Sequence, residues 1–167
     1  FTMSPFRVGI GNDIHRFAPK RKLFIGGIKI PYHQGLLGHS DADVVIHAIC
    51  DALLGAMCEE DIGHHFHDSN SAYKNIASLE LLKKVRQLLG KNFFLVGNVD
   101  VMVLMESPKI TNFKDKMRAR IAKAHEIDRS QISIKATTHE GVGEIGRGEA
   151  AAAYAVVLIR KNNLNVK

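Results

Sequence analysis

The stretch His39-Ser40-Asp41-Ala42-Asp43-Val44-Val45-Ile46-His47-Ala48-Ile49-Cys50-Asp51-Ala52-Leu53-Leu54-Gly55 has a start signal, an apolar body and a stop signal. Ser40 can accept from the first free backbone N–H groups of a helix, and Asp41 and Asp43 place negative charge at its positive end. Gly55 supplies the left-handed residue that commonly closes a helix. Nearly every position between is Val, Ile, Ala or Leu, so the pattern predicts a buried helix. Asp43, His47 and Asp51 interrupt it at four-residue steps and share one side. Such a polar stripe needs partners: either the imidazole is hydrogen-bonded to Asp43 or Asp51, or it meets other groups from elsewhere in the chain.

Toward the N-terminus, residues 6–14 alternate apolar residues with others, a strand signal that runs into Asp13 and His15. On a strand those two side chains point the same way. Residues 23–30, broken by Gly26-Gly27 and closed by Pro31, predict a strand or a bent hairpin, and 32–38 a loop. Downstream, residues 61–70 form a polar loop rich in His and Asp, a second candidate site segment. Residues 72–89 predict an amphipathic helix, and 92–105 a strand ended by Pro108. Thr111 or Asn112 is then placed to cap a helix through His125, with Phe113, Met117, Ile121 and Ala124 on its apolar side. A short strand at 132–136 leads to Thr137-Thr138-His139-Glu140 and a glycine-rich turn at 141–148. Residues 149–160 mix helix-favouring alanines with Val156-Val157-Leu158-Ile159 and are read as a strand. This order predicts one α+β domain over 6–160, a mixed sheet with helices on one face. Residues 1–5 read as a flexible remnant and 161–167 as a tail.

A chain of 167 residues, 46% hydrophobic, can bury one adequate core. The net charge of +6 is scattered, its densest run being Lys20-Arg21-Lys22, and three Tyr with no Trp supply few stacking surfaces. No nucleic-acid partner is expected, whereas a phosphate-bearing small substrate suits the charge. Cys50 and Cys58 lack a paired spacing and read as reduced thiols. No apolar run reaches the ~20 residues that span a bilayer, so no membrane partner is expected. Phe1-Thr2 ahead of Met3 reads as a processing remnant and leaves room for a removed targeting peptide.

Asp13, His15 and His47 offer one carboxylate and two imidazoles. Three such ligands with a fourth position open describe a catalytic zinc centre, because a structural site closes its shell with a fourth protein ligand. In a chain with nine histidines, spacing alone also admits simple hydrogen-bonded pairs. Asp51, one turn beyond His47, can hold a ligand imidazole in its tautomer or accept from backbone donors instead. Residues 141–148 lack the ending of a Walker loop; they form either a turn or a set of N–H groups arranged with Arg147 around an anion.

These blocks closely resemble, in order and spacing, the 2-C-methyl-D-erythritol 2,4-cyclodiphosphate synthase family. They are Asp13-x-His15, then Gly35 to Asp43 (GLLGHSDAD) through His47, Asp61-Ile62-Gly63, Gly97-Asn98-Val99-Asp100, Pro108-Lys109, Lys135-Ala136-Thr137-Thr138, Glu140 and Gly146-Arg147-Gly148-Glu149. The resemblance covers residues 6 to about 160. It implies a homotrimer with active sites between subunits and sheets lining a central cavity. The implied reaction is a lyase step of the non-mevalonate isoprenoid route: 4-diphosphocytidyl-2-C-methyl-D-erythritol 2-phosphate closes its 2-phosphate onto the β-phosphate and expels CMP.

The resemblance further implies Zn2+ on Asp13, His15 and His47, with Mg2+ or Mn2+ bridging the substrate diphosphate. His39 and Thr138 match residues that stabilise the transition state. Ser40 and the loop residues Asp61, Ile62, Gly63, Phe66, His67, Asp68, Ser69 and Asn70 match contacts to the methylerythritol phosphate end. Met105, Glu106, Ser107, Pro108, Lys109, Ile110 and Thr111, with Thr137, Thr138, His139 and Glu140, match segments that hold the cytidine diphosphate from the adjoining subunit. Arg147 is counted with the substrate contacts, and with Glu149 it approaches the trimer cavity. The chain departs from the family at Asn12, commonly aromatic, at His67, commonly Pro, and at Glu144, commonly apolar or aromatic; His64 and His65 are extra imidazoles, expected to be solvated. The expected compartment is a bacterial cytoplasm, or a plastid or apicoplast. A zinc-dependent phosphohydrolase and a non-catalytic nucleotide-binding trimer remain the competing readings.

Overall fold

The computed structural model describes residues 4–66 and 76–162. Along the chain run β1 (Phe6–Pro19), β2 (Leu23–Ile25), β3 (Ile28–Ile30), β4 (Gln34–Leu36), α1 (Val44–Met57), α2 (Ile62–His65), α3 (Ser78–Lys91), β5 (Phe94–Leu104), α4 (Lys114–His125), β6 (Ile132–Thr137), α5 (Gly143–Gly146) and β7 (Ala150–Lys161). The main sheet has the order β4-β1-β7-β5-β6, and β2 and β3 form a separate hairpin. Only β5 and β6 pair in parallel, joined through α4. The sheet is therefore mixed, in an α+β arrangement.

Helix α1 lies on β1 because Gly9 and Gly11 have no side chain. A β-carbon at Gly9 would fall 1.8 Å from the Ala52 carbonyl oxygen, and one at Gly11 2.0 Å from that of Ala48. A clash with backbone cannot be relieved by turning a side chain, so these two glycines set how closely helix and strand approach. Val45, Ile46, Ile49, Leu53 and Leu54 of α1 are fully buried, with Val99, Val101, Val103, Ala153, Ala155 and Val157 of the central strands. On the opposite face Ile145 of α5 packs with Ala150 and Ala152, while Phe6, Val8, Ile10, Ile14, Tyr154 and Val156 stand exposed; Val8 and Ile10 are 67% and 69% accessible.

The start and end of α1 differ from the sequence reading. Asp43, not Ser40, caps the helix: its Oδ1 accepts from Val45 N at 3.1 Å and Ile46 N at 3.2 Å. The same carboxylate accepts from Gly26 N at 2.8 Å and Gly27 N at 2.6 Å, so the β2–β3 hairpin fixes where the helix begins. Burial pushes the Asp43 carboxyl up to about 6, against the pull of the Gly27, Gly26 and Ile46 N–H groups. Gly55 sits inside the helix, and Cys58, with a φ of 63°, is the left-handed closing residue.

The expected loop at 32–38 contains β4, which pairs Gln34, Gly35 and Leu36 with the end of β1. The helix expected over 72–89 is described from Ser78 to Lys91; residues 72–75 lie outside the described residues. Thr111 to Phe113 form one 3-10 turn ahead of α4, with no side-chain capping bond from Thr111 or Asn112. The strand reading of 149–160 holds as β7.

Candidate metal centre and active site

Strand parity turns Asp13 and His15 to the same side of β1, and the Gly11–Ala48 contact brings the polar side of α1 against them. The Nδ1 of His47 lies 2.9 Å from Asp13 Oδ2, and the Nε2 of His15 lies 3.1 Å from the same oxygen. The two rings meet edge to face, 5.6 Å between centroids. Burial raises the Asp13 pKa, but the hydrogen bonds and charges of His15 and His47 outweigh it and hold the carboxyl at about 2. Burial disfavours charge on His47, yet Asp13 beside it, with Asp43 and Asp41, raises its pKa.

One ligand atom from each of Asp13, His15 and His47 lies within 4.8 Å of the others, and among the described residues this is the one cluster of three such side chains. A tetrahedral zinc site with ligands at ~2.0 Å has edges of about 3.3 Å. The 2.9 and 3.1 Å separations are close to that, and the donor set suits zinc.

The far nitrogen of His47 is also held. Its Nε2 lies 2.9 Å from Ser78 Oγ and 3.2 Å from Ser40 Oγ. Ser78 Oγ donates to Asp41 Oδ1, and Ser78 N donates to Asp41 Oδ2 at 3.1 Å. Because the hydroxyl proton goes to Asp41, Ser78 accepts from the imidazole, which leaves the Nδ1 lone pair facing the Asp13 side. This orienting role is one of the two that the sequence left open for Asp51, the other being acceptance from backbone donors. Asp51 instead accepts from the Ile62 backbone N–H at 2.8 Å and so anchors α2. Asp41 was read only as a helix-end charge, and Ser78 was not singled out, because its role depends on the docking of α3.

A cavity of about 210 Å³ opens beside the cluster, lined by His15, Gly38, His39, Ser40, His47, Ile62, Gly63, Phe66, Ile76 and Leu81. It therefore gathers five of the residues expected at the phosphate and methylerythritol side: His39, Ser40, Ile62, Gly63 and Phe66. Asp61 does not line it; its Oδ1 caps α2 by accepting from His64 N at 2.9 Å. His67, Asp68, Ser69 and Asn70 lie outside the described residues. His65 lies 3.6 Å from Glu59 and so forms an ion pair when protonated. The sequence does not mark Ile76 and Leu81 as site residues, because the apolar face of an amphipathic helix does not show which of its residues border a cavity.

The cytidine-side candidates gather at another place, beyond the C-terminal ends of the parallel strands β5 and β6. Met105 N donates to the Thr137 carbonyl at 3.1 Å, His139 N to Glu106 Oε1 at 2.7 Å, and Thr138 Oγ1 to Glu140 Oε1 at 2.6 Å. Ser107-Pro108 is a cis peptide; Ile110 is buried, whereas Ser107, Lys109 and Thr111 are exposed. The register aligns Ile14 with Ala152, Leu104 and Thr137 across β1, β7, β5 and β6. Two strand spacings thus separate the 105–111 segment from β1, and three, roughly 14 Å, separate the 137–140 segment from it. Thr138 is not brought to His39 within one chain.

Arg147 is engaged elsewhere: its Nε donates to Glu149 Oε1 at 2.7 Å, and Nη2 lies 3.6 Å from Glu144. The glycine-rich segment folds on itself. Gly146, Arg147, Gly148 and Glu149 donate their N–H groups to the carbonyls of Val142, Gly143, Ile145 and Glu144. Those four donors are used within the turn, so the anion cradle allowed by the sequence is not formed from them. Asn12 makes a local contact, donating to the Ala153 carbonyl at 3.1 Å.

The YgbB family pattern matches residues 6–160. The 2-C-methyl-D-erythritol 2,4-cyclodiphosphate synthase of Chloroherpeton thalassium is 56% identical over 155 residues, 93% of this chain and 99% of the relative. The enzyme of the same name from Caldicellulosiruptor bescii is 52% identical over 154 residues, 92% of this chain and 98% of the relative. The solved structure of IspF from Plasmodium falciparum in complex with CDP superposes with a TM-score of 0.85 at 35% identity, covering 97% of this chain and 100% of that one. The bifunctional IspDF of Campylobacter jejuni gives a TM-score of 0.90 at 38% identity, over 93% of this chain and 42% of that longer one.

Proposed function

The chain belongs to the YgbB family, and from that membership we propose that it converts 4-diphosphocytidyl-2-C-methyl-D-erythritol 2-phosphate to 2-C-methyl-D-erythritol 2,4-cyclodiphosphate and CMP, a lyase step of isoprenoid biosynthesis. The observation that carries this reading is the convergence of Asp13, His15 and His47 beside the cavity walled by His39 and Ser40.

Attack of one phosphate on another requires alignment and charge neutralisation more than a nucleophilic side chain. Bound at the Asp13, His15 and His47 atoms, Zn2+ would supply Lewis-acid charge neutralisation at the β-phosphate, with Mg2+ or Mn2+ serving the diphosphate oxygens. Ser78 and Asp41 fix the ring of His47. His39 and Ser40 face the phosphate end, where a hydroxyl and an imidazole can hydrogen-bond phosphate oxygens. Ile62, Phe66, Ile76 and Leu81 supply the apolar part of the wall beside the reacting group. The 105–111 and 137–140 segments hold the cytidine diphosphate, with Thr138 directed to its phosphates. Arg147, paired with Glu149 and Glu144, belongs to the cavity side of the assembly.

A homotrimer with shared active sites follows the same reading, and two observations support it. Within one chain the cytidine-side cluster lies two to three strands from the metal cluster, so a neighbouring copy offers the shorter way to complete a site. The open sheet face exposes Val8, Ile10 and Val156, a contiguous apolar surface that other copies would cover around a central cavity.

Phosphorus NMR of the protein with this substrate and Mg2+ tests the proposal. CMP together with a cyclic diphosphate supports it. Inorganic phosphate without the cyclic product indicates a hydrolase, and an unchanged spectrum indicates a binding protein; either result rejects it.

A further inference from the structure

The densest cationic run, Lys20-Arg21-Lys22, has no part in the reaction as described. Arg21 follows the end of β1, where Lys20 reverses the chain with a φ of 60°. Its guanidinium reaches the segment that follows β4. Nε donates to the Leu36 carbonyl at 2.6 Å, and Nη2 donates to the carbonyls of Gly38 at 3.3 Å and Ser40 at 3.0 Å. Three alternate carbonyls are thus gathered on one planar group, and the segment they belong to carries His39 and Ser40 into the cavity wall.

The backbone is shaped for this approach. A β-carbon at Gly35 would lie 2.3 Å from the Lys22 carbonyl oxygen and 2.8 Å from the Arg21 carbonyl carbon, so a side chain there would push the Arg21–Lys22 backbone away from β4. On the other side, Leu37 N donates to the Arg16 carbonyl at 2.8 Å, and a β-carbon at Gly38 would lie 3.1 Å from Cε1 of His15. Residues 36–40 are therefore held between Arg21 and a residue of the metal cluster.

We propose that Arg21 is a positioning residue, whose guanidinium fork holds the 36–40 segment and so sets His39 and Ser40 against the substrate phosphates without touching them. The proposal rests on reading the cavity as the phosphoryl-transfer site. Lysine cannot reproduce the role, because its single compact ammonium does not present donors in a fixed fork to several carbonyls at once. A role in attracting the anionic substrate would instead need only the charge, which lysine keeps.

The test compares Arg21→Met and Arg21→Lys in the full chain by kcat and KM for cyclisation, by CDP affinity, and by amide hydrogen exchange across residues 36–42. Both variants are expected to lose about 10- to 100-fold in kcat, the scale of a small misplacement of reacting groups. Both should exchange faster at 36–42 while CDP affinity is kept. Full activity and native exchange in Arg21→Lys would overturn the proposal in favour of charge alone. Native exchange in Arg21→Met, or a loss of CDP affinity matching the loss of kcat, would also overturn it. A wild-type protein that makes no cyclic product rejects the synthase reading, while the exchange data still decide the positioning role.

Discussion

Ser78 Oγ lies 2.9 Å from Nε2 of His47 and donates its own hydrogen bond to Asp41, so a carboxylate, a hydroxyl and an imidazole stand in series behind the Asp13–His15–His47 cluster. Such partners fix the tautomer of a metal-binding histidine and hold its ring in place. Ser78→Ala is therefore expected to weaken zinc affinity about 10- to 100-fold, read by competition with a chromogenic chelator, with the fold intact by circular dichroism. Asp51→Ala should loosen the start of α2 and leave zinc affinity nearly unchanged. Unchanged zinc affinity in Ser78→Ala with a loss in Asp51→Ala would assign the orienting role to Asp51 instead.

The Gly11 contact makes a second prediction. Gly11→Ala places a methyl 2.0 Å from the Ala48 carbonyl oxygen, and relief requires α1 to move off β1. The expected cost is about 3 kcal/mol in urea unfolding, at the upper end for overpacking, together with weaker zinc binding as His47 draws away from Asp13. A variant of native stability and native zinc affinity would show that helix and strand do not depend on this close approach.

His125 predicts a pH dependence. It is 3% exposed, neither ring nitrogen has a hydrogen-bond partner among the described residues, and burial with Arg86 nearby pushes its pKa down to about 4 from 6.5. The unfolded chain takes up this proton near 6.5 and the folded chain only near 4. The stability associated with neutral His125 is thus complete above 6.5 and is lost as pH falls through that window. The loss is about 3 kcal/mol at 1.36 kcal/mol per pKa unit. His125→Leu should show a correspondingly smaller loss of unfolding free energy between pH 7 and pH 4.5. An unchanged difference between the two pH values would rule this out.

The exposed sheet face gives a fourth. Ile10→Glu puts a charge at the middle of the apolar surface formed with Val8 and Val156, where a neighbouring copy is proposed to pack. Sedimentation should change from trimer to monomer, with cyclisation lost and the monomer fold retained. A trimeric, active variant would place the subunit contact on another surface.

Where a local pattern carried the information, the sequence was a good guide. The period of two in β1 and the apolar body of α1 located both elements, and strand parity put Asp13 and His15 on one side; joining them to His47 took the family resemblance, because spacing alone also allowed His47 to pair with Asp43 or Asp51. The true helix start was hidden because the partners of Asp43, Gly26 and Gly27, belong to a hairpin earlier in the chain. Gln34-Gly35-Leu36 is too short to show a period, and becomes a strand only by pairing with β1. Ser78 and Arg21 act through the docking of one segment on another, which no spacing displays. The separation of Thr138 from His39 is a property of strand order and is equally absent from the linear pattern.

The dependence of cyclisation on the Asp13, His15 and His47 centre is tested most directly by stripping metal from the protein with a chelator and titrating zinc back, with the cyclic product followed by phosphorus NMR. Turnover is expected to vanish with the metal and to return to a plateau at one zinc per chain, with His47→Ala neither retaining zinc nor recovering. Undiminished cyclisation by stripped protein, or by a His47→Ala variant free of zinc, would contradict it.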